Sequence, residues 1–421
     1  MPFSPTRIPR PTRIPRPTRI LWASRYYWPY GAGRHARAAA TVALTRRLSE
    51  TGYHVEVVTP RQGTHWSEGF QFGNIAVHRI TAAPRGEWSI QRYVRYLGNW
   101  MIEQSDRFDV LVCDGLNDDV RAIANVIASR PVGVAGRGRA VPIGITLCDG
   151  WGGDADEVAC RQSRSGRRIL TGVSGMNHVV TRHAGADRFL IAQGISPDRI
   201  YRIPKGFARP RKVTAEQRAA ARASLGQANS DLAAGPQDRV LLWCGHMKGR
   251  PRDRTGVIHL VANARLMCGR YPNLKIWLLG DGELHDWIHT ELKAEGVRSL
   301  VAIPGSFADM SDVWKAVDFA IVTDEDQLRY TLPTAIECGI PVLLNELPTI
   351  RSWIGEHFEH DVAESFAWYD QRRGASLRKS FRMMWDDCSG TVEHAWQVAL
   401  DASHRRSEGD EMQHWASVFQ K

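Results

Sequence analysis

The residues of this chain that could do chemistry are carboxylates beside glycines and cations beside helix starts. Asp149 closes an apolar run, Val141–Leu147, and Gly150, Gly152 and Gly153 follow it. A carboxylate at a strand end can take the proton of an attacking hydroxyl, and glycines beside it leave room for a substrate. The same Asp-Gly pair also serves simply as a turn. Asp114, Asp118 and Asp119 repeat the pattern more weakly after Phe108–Cys113. A second set lies in Ile321–Pro348, where Asp326 and Arg329 sit in a polar loop and Thr334 on the short helix that follows. Asp326 can accept hydrogen bonds, Thr334 can make one, and Arg329 can meet an anion. A third is the basic loop after Gly245, with Lys248, Arg250, Arg252 and Arg254 before Gly256. Phosphate binding needs one or two cations near a helix N-terminus, and Arg250 and Arg254 are the pair we favour. An exposed basic loop is the plain alternative. Gly31, Gly33 and Gly282 would let backbone approach the same ligand.

Two Asp-x-Asp triplets, Asp154–Asp156 and Asp324–Asp326, imitate a metal motif. They sit in a strand–helix alternation that argues against that use, so no essential metal is expected. His35, His178 and His183 read as packing or surface residues.

These side chains need strands and helices to hold them. Ile20–Ser24, a helix from Ala36 to Thr51 and His54–Thr59 form an opening βαβ unit. Gly31-Ala-Gly33-Arg-His-Ala36 matches a dinucleotide fingerprint, but six residues separate it from the strand and no acid ends the next strand. Alternation continues to Ile200–Pro204. Residues 208–238 then turn Arg/Ala-rich and afterwards Gly/Pro-rich, as a junction does. A second alternation starts at Val240–Cys244 and runs to Ile340–Leu344, and after Ile350 the pattern reads as helical and Trp-rich. The expected fold class is α/β, with two Rossmann-like doubly wound domains. The expected divisions are 1–19, a Pro/Arg repeat arm read as unpacked; 20–210; 211–380; and 381–421.

At 421 residues, two domains are the natural reading, and 43% hydrophobic content is that of a globular protein. No apolar run reaches the ~18 residues of a membrane span. The start lacks the apolar core of a secretory signal. Seven scattered cysteines show no metal spacing and suggest a reduced compartment. The net charge of +10 suits phosphate-bearing ligands, anionic membrane surfaces or nucleic acid.

Six stretches taken together resemble nucleotide-sugar glycosyltransferases of the GT-B fold, family 4. They are Pro29–Gly33 with the turn Gly52–Val57; Ala186–Phe207, with Lys205 where the family has Asn; Val240–Gly249; Leu278–Leu284; Ile303–Gly305; and Ile321–Pro348. The resemblance implies that the two domains face a central cleft and that the C-terminal helices cross back, with an N-terminal acceptor domain and a second domain for the nucleotide-sugar. It also implies a pair of donor-binding glutamates. Anchored on Cys338–Val342, the first falls on Asp326 and the second on Thr334, while the family's Gly-Phe-Gly becomes Gln327-Leu328-Arg329. Glu337 is a carboxylate three positions late, so it need not point at the ligand.

The expected function is transfer of a sugar from a UDP- or GDP-linked donor to a glycan or lipid-linked saccharide. Asp149 would be the base, no cofactor is expected beside the nucleotide-sugar co-substrate, and the location would be cytoplasmic or peripheral at a membrane. Transfer to a modified base in DNA and a non-catalytic binding protein on a decayed fold are the alternatives.

Overall fold

The structure is a computed structural model that describes residues 17–30, 35–129 and 141–421. The Pro/Arg arm through residue 16, and Gly31 and Gly33, lie outside the described residues. The first sheet contains β1 (Arg19–Ala23), β2 (His54–Arg61), β3 (Gly69–Phe72), β4 (Ile75–Ala82), β5 (Val110–Cys113), β6 (Ile143–Cys148), β7 (His178–Thr181) and β8 (Ile200–Arg202). Their order is β3-β4-β2-β1-β5-β6-β7-β8, parallel except for the β3–β4 pair. The second contains β9 (Arg239–Cys244), β10 (Leu274–Leu279), β11 (Val301–Gly305), β12 (Phe319–Val322), β13 (Val342–Asn345) and β14 (Ala367–Tyr369). It is parallel throughout, in the order β11-β10-β9-β12-β13-β14. Strand order reverses between β9 and β12, and a crevice opens beyond the carboxyl ends at such a point.

The strands form where they do because they are buried on both faces. Val110–Cys113, Phe319–Val322 and Val342–Asn345 are buried at every position. Parallel sheets covered by helices on both sides require such unbroken apolar runs. The helix Thr331–Glu337 ends in a Schellman turn: Gly339 N–H bonds to Ile336 O at 2.9 Å and Ile340 N–H to Ala335 O at 3.0 Å. Gly339 has φ +63°, and a Cβ there would lie 2.9 Å from Trp396. Glycine is therefore required twice, by conformation and by space.

The tail crosses between the two halves. Helix Cys388–Arg405 packs Val398 and Ala402 into the second half. Phe207 N–H then bonds to Arg406 O, and Glu408 N–H to Phe207 O. The last helix, Glu408–Phe419, lays Met412, Trp415, Val418 and Phe419 against β1 and β2 of the first sheet.

Some elements differ from the sequence expectation. The β3–β4 hairpin and the helices Glu87–Gln104 and Asp119–Ala128 were not anticipated, and β14 interrupts a tail read as wholly helical. Strand β14 is three residues long and pairs with β13 on one edge, too short for a periodic signal.

Candidate functional site

The two sheets meet at a closed cleft. Its cavity measures about 60 Å³ and is lined by Arg47, Asp149 and Lys205 from the first half and Arg329, Thr334 and Glu337 from the second. Asp149 arrives at the end of β6, and Arg329 and Thr334 arrive through the turn and helix after β12. Three residues named from the sequence thus come together. Asp326 and the basic loop sit elsewhere.

Arg329 dominates the contact. Its side chain is 3% exposed, and its Nη1 lies 3.5 Å from Asp149 Oδ2. Nε pairs with Asp154, and Nη2 donates to the backbone carbonyls of Asp149, at 3.2 Å, and Asp154. Nη2 is also 3.5 Å from Asp156 Oδ1. A buried guanidinium is tolerated only with such pairing. Burial alone would lower its pKa, but Asp154 and Asp149 outweigh that and raise it. For Asp149 the opposite holds. Burial would raise its carboxyl pKa, yet Arg329, Arg182 and Arg37 hold it below the usual range.

The glycines after Asp149 have a different role from the expected one. A Cβ at Gly150 would lie 2.2 Å from Arg329, and one at Gly152 would lie 2.3 Å from Glu325. Gly153 N–H donates to Glu325. In this conformation the glycines receive side chains of the second half and leave no opening for a substrate. Asp154 and Asp156 are likewise engaged, with Arg329 and Arg37. Asp119 is buried against Arg25 at 2.9 Å, and Asp114 accepts from Ser24 at 2.6 Å and Thr41 at 2.9 Å. Those acids therefore hold the fold.

Glu337 lines the same cavity as Thr334. It sits 3.0 Å from Arg47 and 3.2 Å from Lys205. Positions 334 and 337 share a helix face, so the spacing carried the signal. Glu411 of the last helix joins them, 2.6 Å from Arg182 and 3.5 Å from Arg47. Burial would raise its pKa, but Arg182, Lys205 and Arg47 lower it. His183 caps a helix and donates from Nε2 to Gly150 O at 2.9 Å, while His357 is pushed down to about 3 by burial.

Asp326 lies on the other side of its turn. It accepts from His246 N–H at 3.0 Å and lies 3.5 Å from Lys248 Nζ. Lys248, rather than Arg250 or Arg254, is the basic-loop cation that reaches it, and the two arginines are exposed. Gly282 packs under this loop, where a Cβ would meet Met247 O at 2.4 Å. Burial pushes the Asp326 carboxyl up to about 6 against the pull of Lys248. That lies above the ~3.9 of an unfolded aspartate, so its contribution to stability is present at low pH and lost as pH rises through about 6. Asp326→Asn keeps an acceptor for His246. It is expected to gain about 2 kcal/mol over the parent at pH 8 relative to pH 4, read by urea denaturation. An equal difference at both pH values would rule out this burial cost.

Comparisons with known proteins bear on the fold. Residues 36–206 match the family model described as "Glycosyl transferase 4-like domain". No curated protein matches the chain. Solved structures match along nearly all of it. Sucrose-phosphate synthase from Thermosynechococcus elongatus superposes with a TM-score of 0.65 at 13% identity, covering 96% of this chain and 98% of that one. WaaG, a glycosyltransferase involved in lipopolysaccharide biosynthesis, gives 0.62 at 15% identity, covering 95% and 99%. Anabaena HepE in complex with UDP-glucose gives 0.63 at 16% identity, covering 96% and 100%. The fold is GT-B over nearly all of the chain, and residues 36–206 carry the match to the glycosyl transferase 4-like family.

Proposed function

We propose that this chain, a GT-B protein of the glycosyltransferase type with a glycosyl transferase 4-like domain over residues 36–206, transfers a sugar from a UDP- or GDP-linked donor to a glycan or lipid-linked saccharide. The observation that carries this reading is the meeting of Asp149 with Arg329 and Thr334 in one cleft between the two sheets. HepE with bound UDP-glucose supports the nucleotide, and WaaG supports a cell-envelope acceptor. In this reading Thr334 meets the ribose, and Arg329, Arg250 and Arg254 meet the diphosphate. Gly282 allows close backbone approach, and Asp326 takes sugar hydroxyls. The acceptor oxygen bonds to the anomeric carbon as the bond to the phosphate oxygen breaks. The nucleoside diphosphate leaves, and Asp149 takes the acceptor proton. Side-chain cations meet the diphosphate, and we assign no metal to the reaction.

A cavity of about 60 Å³ is far below the ~300 Å³ at which ligand pockets begin, so the two halves must part for a donor to enter. Among the described residues no helix is long and apolar enough to cross a membrane.

A thermal-shift screen of UDP- and GDP-sugars tests the proposal. The right donor at a hundred times its Kd is expected to add about 2.7 kcal/mol of stability. No shift with any of them at millimolar concentration would sink the enzyme reading. Binding without transfer or hydrolysis would make the chain a binding protein instead. Thr334 in place of an acid favours that second reading, because a hydroxyl cannot make the charge-assisted bond to a ribose.

A further inference from the structure

We propose that Arg329 is an interdomain latch: in the ligand-free protein it holds the cleft shut by filling the Asp149–Asp156 turn, and the cleft becomes competent for a nucleoside diphosphate only when that seat is vacated. The part of this that concerns the diphosphate rests on the glycosyltransferase reading. The latch itself rests on geometry.

Four observations support it. The guanidinium is inserted into the opposite half of the molecule, among Asp149, Asp154 and Asp156, from a turn some 175 residues away in the chain. Glu325, four residues earlier, enters the same turn at Gly153 and is itself held by Thr349 Oγ1 at 2.5 Å. Gly150 and Gly152 have φ of +95° and +57°, and the space that their missing side chains leave is taken by Arg329 and Glu325. The latch is also backed from behind, because Arg37 pairs with Asp156 and lies 3.7 Å from Asp114.

The seat is occupied but not fully satisfied. Arg329 Nη1 is buried without a hydrogen bond, and its approach to Asp149 Oδ2 at 3.5 Å is an ion pair only. A diphosphate offers the fork a bidentate partner that this turn does not supply. The second clasp around the cavity, Arg47 and Lys205 on Glu337, is ionic as well. Ionic contacts that open into water regain hydration, so parting them costs little compared with separating an apolar interface. The apolar contacts at this junction gather at Phe207, against Trp353, His357 and Phe358, beside the point where the tail crosses back. That cluster is suited to act as the pivot. Arg329 thus sets the state of the cleft before it meets a diphosphate. While seated, it neutralises Asp149 and blocks the glycines beside it.

The test uses Asp154, which is one-third exposed and does not belong to the proposed donor site. Small-angle scattering of the full chain should give a radius of gyration near the ~22 Å of a compact protein of this length, with Asp154→Ala and Arg329→Gln each raising it by about 1 Å or more. The double variant should go no further than either single one. UDP should bind Asp154→Ala at least threefold more tightly than the parent, since removing the latch raises the competent fraction. A residue that merely braces the site would weaken binding or leave it unchanged. Circular dichroism confirms folding of each variant, and the two variants attack the contact from opposite sides, so one that fails to fold leaves the other decisive. Unchanged radii in the folded variants would overturn the latch. Binding of neither UDP nor GDP to either protein would count against the glycosyltransferase reading, while the radii still decide the latch.

Discussion

Asp149→Asn is expected to lower kcat by about 10²- to 10⁴-fold, the usual worth of a positioned general base. The substitution is nearly isosteric. Its side-chain oxygen can still accept from Gly150 N–H, which lies 2.6 Å from the Asp149 carboxylate. Arg329 keeps Asp154 and Asp156, so the turn should survive. What is lost is the group that takes the acceptor proton. KM for donor should move little, because the donor contacts belong to the second half. Steady-state kinetics with a donor identified by the thermal-shift screen decide the matter, and a kcat within threefold of the parent would remove Asp149 from the chemistry. The pKa of Asp149 adds a pH signature. It is lowered on folding, so its stabilising contribution is present above the unfolded value of ~3.9 and fades as pH falls through the lower folded value. The parent should therefore lose this contribution in acid, and Asp149→Asn should not.

Trp415→Ala is expected to cost about 3–5 kcal/mol, the range for deleting a buried Trp. Trp415 is 0% exposed, and its ring centroid lies 5.8 Å from that of Trp22 on β1. It anchors the last helix to the first sheet together with Phe419, which meets Tyr53 at 5.3 Å. The same helix carries Glu411, so undocking it would also leave Arg47 and Arg182 short of a counter-ion at the cleft. A loss of this size is a large share of the 5–15 kcal/mol that holds a typical protein folded. Denaturant unfolding followed by Trp fluorescence measures it. A change under 1 kcal/mol would show that the helix is not docked through Trp415.

Much of the frame was legible in the residues alone. Runs such as Val240–Cys244 and His178–Thr181 are apolar because both faces of the sheet are covered, and that leaves a plain signature. Cys338-Gly339 marked a helix stop, and the Schellman turn is there. The β3–β4 hairpin went unread although Gly73-Asn74 sits between two strand-like runs, a turn signal that sequence does carry. Strand β14 left no comparable trace.

The site divides in the same way. That Asp149, Arg329 and Thr334 could matter followed from their types and from the strand ends they occupy. That Arg329 fills the glycine turn after Asp149, that Lys248 rather than Arg250 reaches Asp326, and that Glu337 shares the cavity with Thr334 did not follow. Local pattern records what a residue's own strand or helix requires. Which charge answers which across a cleft depends on how two sheets are set against each other. A turn at 325–329 and a turn at 149–156 lie far apart in the chain, and only the packed structure brings them into contact.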